Sequence, residues 1–293
     1  MKIVIVGGGL GGFAVGIGFL QHGYTDVTVY ERDTGMDSRR QGYGLTILQG
    51  ISALKRLEVF QQVHSLDTPS RSHYIFDKYG SMIGFFGTVF WPEQDNQPKA
   101  RKKHNLHIER QELRRILMNR YISLHPLGSQ GIQWDYRIIQ IDRVLRKVSF
   151  AKDHTVNDVD LVIGADGING LVRSFKYDPL VDTPLNYLGQ GANQALLDAV
   201  ELADIIAQNS QDLHSAISQY EDRMLRRVYT KVMQSRERVT SFHRPEALST
   251  QNFQYRGVNE ELIERLNSLK INAHWNDPIV SIEQAIIDKL NGK

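Results

Sequence analysis

The sequence predicts an α/β fold with a parallel central sheet, and three observations carry that prediction. Lys2–Val6 is an apolar run rich in β-branched residues, the pattern of a strand buried on both faces. It leads through Gly7-Gly8-Gly9-Leu10-Gly11-Gly12 into an amphipathic segment reaching about His22, and a second strand, Asp26–Tyr30, follows. A third short apolar strand, Asp160–Ile163, ends in the turn sequence Gly164-Ala165-Asp166-Gly167. The first two strands and the helix between them make one βαβ unit.

Each part of that unit has a physical reason. Gly7 allows the tight turn out of the strand, Gly9 lets the backbone approach a pyrophosphate, and Gly12 lets helix pack on strand. From Leu10 onward the first N–H groups of the helix lack intrahelical acceptors and carry its positive dipole end, which suits phosphate. Glu31 lies 19 residues beyond Gly12, where an acid can hold both hydroxyls of a ribose, with Arg32 beside it. The unit is therefore read as a Rossmann-like dinucleotide site. On its own the motif does not distinguish FAD from NAD.

The remaining elements follow in order. Ile108–Leu117 reads as the start of an amphipathic helix with Leu113, Ile116 and Leu117 on its core face. Alternation from Ile132 to about Ala151 predicts a small antiparallel ribbon crossing over the sheet. Beyond Gly164–Gly167 the chain continues through Ile168–Val172 to Arg173. After Gly191 apolar residues recur at helical spacing through Ile206, and Gln211–Phe242 holds a long helical period with arginines on its other faces. Asn259–Leu269 and Ser281–Leu290 read as short surface helices, and the basic stretch Lys99–His104 as a solvated loop.

Composition narrows the function classes. The chain has 293 residues, 41% hydrophobic and 23% charged, which is ordinary globular material. Zero cysteines exclude disulfides, thiolate nucleophiles and cysteine-ligated metals. A net charge of +2 is too small to suggest a nucleic-acid partner. No apolar run approaches the ~20 residues of a membrane helix, and no cationic leader precedes the first strand, so a cytoplasmic location is expected. Neither His125 nor His243 has metal-ligand or triad spacing; no metal is expected, and no catalytic residue is named. Oligomeric state is not legible.

Three motifs together, Gly7–Gly12, Gly164–Gly167 and Gly189-Gln190-Gly191-Ala192-Asn193 with the helix it opens, resemble the class A FAD-dependent monooxygenases. The resemblance spans residues 1–242 apart from one gap. It implies FAD as cofactor, NAD(P)H as cosubstrate, and oxygen-dependent hydroxylation of a small organic, typically aromatic, molecule. It further implies that Arg39–Thr46 is a loop with Arg40 near the flavin, that Ile168–Val172 is a short helix before Arg173, and that Arg110 contacts the FAD ribose or pyrophosphate. Asp166 would lie near the FAD and the nicotinamide path. Gly189, Gly191, Ala192 and Asn193 would face the flavin.

The chain departs from that family in one major respect. Only 21 residues separate Gly167 from Gly189, where the family carries its substrate-binding sheet, and no Gly-Asp dipeptide precedes the helix. Gly170 stands where the family usually has Ser. The expected organisation is thus an FAD/NAD(P)-binding domain over 1–176 and a truncated remnant of the substrate domain over 177–189. A flavin-facing helix with a helical tail packed on the FAD domain would occupy 190–293. Weak FAD retention and little hydroxylation are expected of such a chain. The alternative is a non-catalytic dinucleotide-binding remnant or a splice or gene-model variant.

Overall fold

Strand β1 (Ile3–Val6) is fully buried, and its alternate residues divide between two cores. Ile3 and Ile5 face one apolar cluster with the helices, while Val4 and Val6 face another with Tyr30, Val148 and Phe150. That division is the period-2 pleat of a strand covered on both sides. The computed structural model describes residues 1–38, 43–68, 72–76, 82–87, 105–167, 170–175 and 191–242. The chain divides into two units, Met1–Thr68 with Lys103–Arg238, and Pro69–Lys102 with Val239–Lys293.

In the first unit, β1 leads through the glycine turn into α1 (Leu10–Gln21) and then β2 (Val27–Glu31). Next come β3 (Gly44–Ile47), α2 (Ile51–Arg56) and α3 (Phe60–Ser65). The described part of the second unit includes an antiparallel hairpin of β4 (Ser72–Phe76) and β5 (Met82–Gly87). The first unit resumes with β6 (Leu106–Glu109), which pairs antiparallel with β3, and α4 (Arg110–Leu124). After it come β7 (Ile132–Trp134), then β8 (Ile138–Asp142), β9 (Lys147–Phe150) and β10 (Thr155–Val156). Strand β11 (Leu161–Gly164) and α5 (Leu171–Ser174) precede α6 (Gly191–Gln208) and α7 (Leu213–Phe242).

The central sheet is parallel throughout, in the order β11-β1-β2-β7. Helices α1, α4 and α6 contribute the core on one face, and the antiparallel ribbon β10-β9-β8 covers the other. This is the α/β architecture expected from the sequence, with parallel sheet, crossing ribbon and late helices. The details differ in four places. Ile132–Trp134 is not part of the ribbon but the edge strand of the parallel sheet, so the ribbon starts at Ile138. Gly44–Ile47 is a strand rather than a loop, because Leu106–Glu109 offers it an antiparallel partner. The helix expected from Ile108 starts at Arg110, since Ile108 and Glu109 belong to that partner strand. The short helix after the third strand is Leu171–Ser174, two residues of the expected Ile168–Val172 helix falling outside the described residues. The expected features at Lys99–His104, 177–189, His243, Asn259–Leu269 and Ser281–Leu290 also lie outside them.

Close packing positions α1. A Cβ on Gly18 would come within 2.7 Å of the Ala203 Cβ, and one on Gly16 within 2.7 Å of the Tyr121 ring. The absent side chains let α1 lie directly against α6 and α4, where dispersion contacts depend steeply on distance. Below the sheet edge the Tyr121 hydroxyl donates to the Val27 carbonyl at 2.5 Å. His125 accepts from the Leu127 N–H through Nδ1 at 3.1 Å, so its Nε2 carries the proton donated to the Val27 carbonyl at 3.0 Å. His125 is thus a satisfied structural histidine. Helix α7 is tied to α6 by Arg227, which donates to Asp198 at 2.5 Å and also to Glu201. Burial outweighs the arginine there and pushes the Asp198 carboxyl up.

Candidate dinucleotide site

The site starts where β1 ends. Gly7 has φ +111°, and a Cβ on it would sit 2.4 Å from the Ala165 carbonyl oxygen, so only glycine fits this turn. Gly12 is tighter still: its Cβ would lie 1.8 Å from the Gly7 carbonyl oxygen. Gly9 is different. Among the described residues, a Cβ there would meet no atom within 4 Å. Packing therefore does not demand this glycine; its bareness leaves clear space at the amino terminus of α1. Gly9 is the N-cap of that helix, and no side chain caps it. Free N–H groups, the positive dipole end and open space coincide, which is the arrangement a phosphate needs.

Glu31 closes one side. It is 7% exposed at the end of β2, and Oε2 accepts from the Gly8 N–H at 2.7 Å while Oε1 accepts from the Asp33 N–H at 3.0 Å. Arg114 lies behind it on α4, with Nη2 3.6 Å from Glu31 Oε2. A cleft of about 430 Å³ opens over these groups, within the range of small-molecule and cofactor pockets. Gly7, Gly9, Glu31, Arg32, Arg110 and Asp166 line it together. The sequence-predicted Leu10 and Gly12 are not among its lining residues; Leu10 is buried in the apolar cluster, and Gly12 lets α1 lie close against the Gly7 turn. Arg40 and Gly189 lie outside the described residues.

The α6 residues Gly191, Ala192 and Asn193 do not line this cleft either. Asn193 is 2% exposed, and its side chain is engaged with protein. Oδ1 accepts from the Leu48 and Gly50 N–H groups at 2.9 Å each, and Nδ2 donates to the Thr46 carbonyl at 2.9 Å. These bonds staple the start of α6 to the end of β3. Its place is structural, holding a loop that the sequence could not connect to it.

Asp166 lines the cleft but also caps α5, accepting from the Val172 N–H at 3.1 Å. A Cβ on Gly170 would lie 2.1 Å from Asp166 Oδ1. Glycine in place of the family's usual serine therefore lets the carboxylate fold back onto the helix. Residues that sequence reasoning missed complete the walls: Arg114, Tyr30, and Tyr136, Arg137 and Ile138 from the approach to β8. Tyr30 stacks on Phe150 with ring centroids 4.6 Å apart, and burial pushes its hydroxyl up to about 12, so it stays neutral. Four arginines, at 32, 110, 114 and 137, offset three acids in this wall, a balance suited to an anionic ligand. Arg110 also lies over the Tyr43 ring at 5.8 Å.

No family model matches the chain. Over 57 residues it is 44% identical to the FAD-dependent monooxygenase adaC of Aspergillus niger, covering 20% of this chain and 14% of that one. It is 28% identical over 181 residues to the FAD-dependent urate hydroxylase of Mycolicibacterium vanbaalenii, covering 60% of this chain and 42% of that one. Among solved structures, Klebsiella pneumoniae HpxO complexed with FAD and uric acid superposes with a TM-score of 0.67 at 16% identity, over 99% of this chain and 97% of that one. Tetracycline destructase Tet(51) gives 0.67 at 15% identity, over 94% and 99%.

The chain is similar to FAD-dependent monooxygenases over part of its length. It spans less than half the length of the curated relatives it matches. Among the described residues, no helix is long and apolar enough to cross a membrane, and no cluster of ligating side chains could hold a metal.

Proposed function

We propose that this chain binds FAD in the cleft over Gly7–Gly9 and Glu31, and serves as a flavin-dependent monooxygenase of a small organic substrate. The observation that carries the reading is Gly9, bare where no neighbour requires it, at the uncapped start of α1. In this reading the turn and the first N–H groups of α1 hold the pyrophosphate, and Glu31 accepts from the adenosine ribose hydroxyls. Arg32 and Arg110, both at the cleft, balance the phosphate charge. Asp166 stays with its helix cap and shapes the far wall. Bound FAD, reduced by NAD(P)H, supplies the two-electron chemistry by which dioxygen yields one oxygen atom to the substrate and one to water. The protein's part is to bind, orient and exclude water.

Titration of the purified chain with FAD, followed by flavin absorption and fluorescence, tests the binding step. Glu31→Ala should weaken binding roughly tenfold or more, since a bond to a charged acceptor is typically worth ~1.5–3 kcal/mol. Equal affinity in wild type and Glu31→Ala would refute the assignment of the ribose. NAD(P)H oxidation coupled to a hydroxylated product tests the activity. FAD binding without any product would leave the chain a dinucleotide-binding protein and reject the monooxygenase reading.

A further inference from the structure

We infer that Arg114 is a positioning residue for nucleotide recognition, fixing the Glu31 carboxylate and the glycine turn so that the acid meets a ribose diol in one set geometry. The inference rests on the dinucleotide reading above. Arg114 is 4% exposed, on the inward face of α4. Its Nε donates to the Gly8 carbonyl at 2.6 Å and its Nη1 to the Met36 carbonyl at 3.3 Å. Its Nη2 lies 3.6 Å from Glu31 Oε2, and the guanidinium sits 5.7 Å from the Trp134 ring centroid. One planar group thus joins the glycine turn, the end of β2 and the segment that follows it.

Burying a guanidinium is costly unless its charge and donors are met. Leu113, Ile116 and Leu117 on the same helix are buried apolar residues, and a leucine or methionine at 114 would avoid that cost. What an apolar residue could not do is hold Gly8 from both sides. The Gly8 N–H donates to Glu31 and the Gly8 carbonyl accepts from Arg114, so acid, turn and arginine form one closed set of contacts. Each Glu31 oxygen has one backbone donor and keeps a second lone pair, and the residue lines the cleft. The carboxylate is therefore oriented before any ligand arrives. Arg114 borders the cleft, but its guanidinium is directed at Gly8, Met36 and Glu31, and a lysine, with a single point charge, could not span the same three acceptors.

The test titrates the full chain with ADP and with 2′,3′-dideoxy-ADP and takes the ratio of the two affinities. In the wild type that ratio should be at least about tenfold, the contribution of hydroxyls bound to a charged acceptor. In Arg114→Gln it should collapse to within about threefold of unity, because an unfixed carboxylate no longer meets the diol in a set geometry. Should Arg114→Gln not fold, Arg114→Lys keeps the charge and the aliphatic stem, and its ratio should fall by about threefold or more. A merely structural role would weaken both nucleotides alike and leave the ratio intact. A wild-type ratio retained in a folded variant overturns the inference and leaves the dinucleotide reading standing. A wild type that binds neither nucleotide, or binds both equally, overturns the dinucleotide reading itself and the inference with it.

Discussion

Gly12→Ala is expected to destabilise the chain by roughly 3 kcal/mol or more, at the upper end of overpacking substitutions. The added Cβ would lie 1.8 Å from the Gly7 carbonyl oxygen, and both atoms belong to backbone that cannot swing aside. Gly7 is held on the other side by Ala165, whose carbonyl lies 2.4 Å from where a Gly7 Cβ would be. Relief would require α1 to withdraw from β1, opening the apolar cluster that contains Phe13, Ile17 and Ile5. Thermal unfolding followed by circular dichroism measures the effect. A melting temperature within about 2 °C of wild type would mean that the turn relaxes and the packing argument is wrong.

Gly9→Asp should do the opposite: leave stability unchanged or raise it, and reduce adenine-dinucleotide affinity by about a hundredfold or more. The backbone at Gly9, φ −88° and ψ −167°, is extended and open to any residue. Among the described residues no neighbour obstructs a side chain. Aspartate is a favoured N-cap, bonding the free N–H groups of α1, and differs from glycine there by only a few tenths of a kcal/mol in its favour. The same bonds consume the donors a pyrophosphate would use, and the carboxylate adds like-charge repulsion of ~1–4 kcal/mol per unit charge at about 4 Å. Melting and FAD titration on one preparation separate the two effects. Undiminished affinity with a stable fold would move the phosphate site away from α1.

Much of this was legible from the sequence because the signals are local. The parallel strands β1, β2 and β11 announce themselves as apolar runs ending at turns, and the glycine spacing fixes which strand feeds which helix. The offset of Glu31 from Gly12 was enough to place it at the end of β2. Arg114 was not, because an arginine on an amphipathic helix reads as a solvated face; only the approach of Gly8 and Met36, distant in sequence, makes it an inward group. The contacts of Asn193 were hidden for the complementary reason: its hydrogen bonds go to Thr46, Leu48 and Gly50, far from it in sequence. Ile132–Trp134 alternates like the ribbon that follows it, and pairing with β2 decides the matter. Tyr136, Arg137 and Ile138 reach the cleft only because the ribbon crosses that face of the sheet.

The pairing of β1 with β11 also dictates when the molecule can fold. Ile3 lies beside Leu161, 158 positions later, and α1 waits for α6 still further on. At about 5–20 residues per second, synthesis separates the two strands by roughly 8–30 s. Through that interval the nascent strand and helix have only part of their apolar surface covered, and closing so long a loop slows the search for the native register. The nucleotide turn is therefore assembled late, although it is made early. A chaperone meeting this chain on the ribosome would find β1 and α1 exposed until β11 and α6 have emerged.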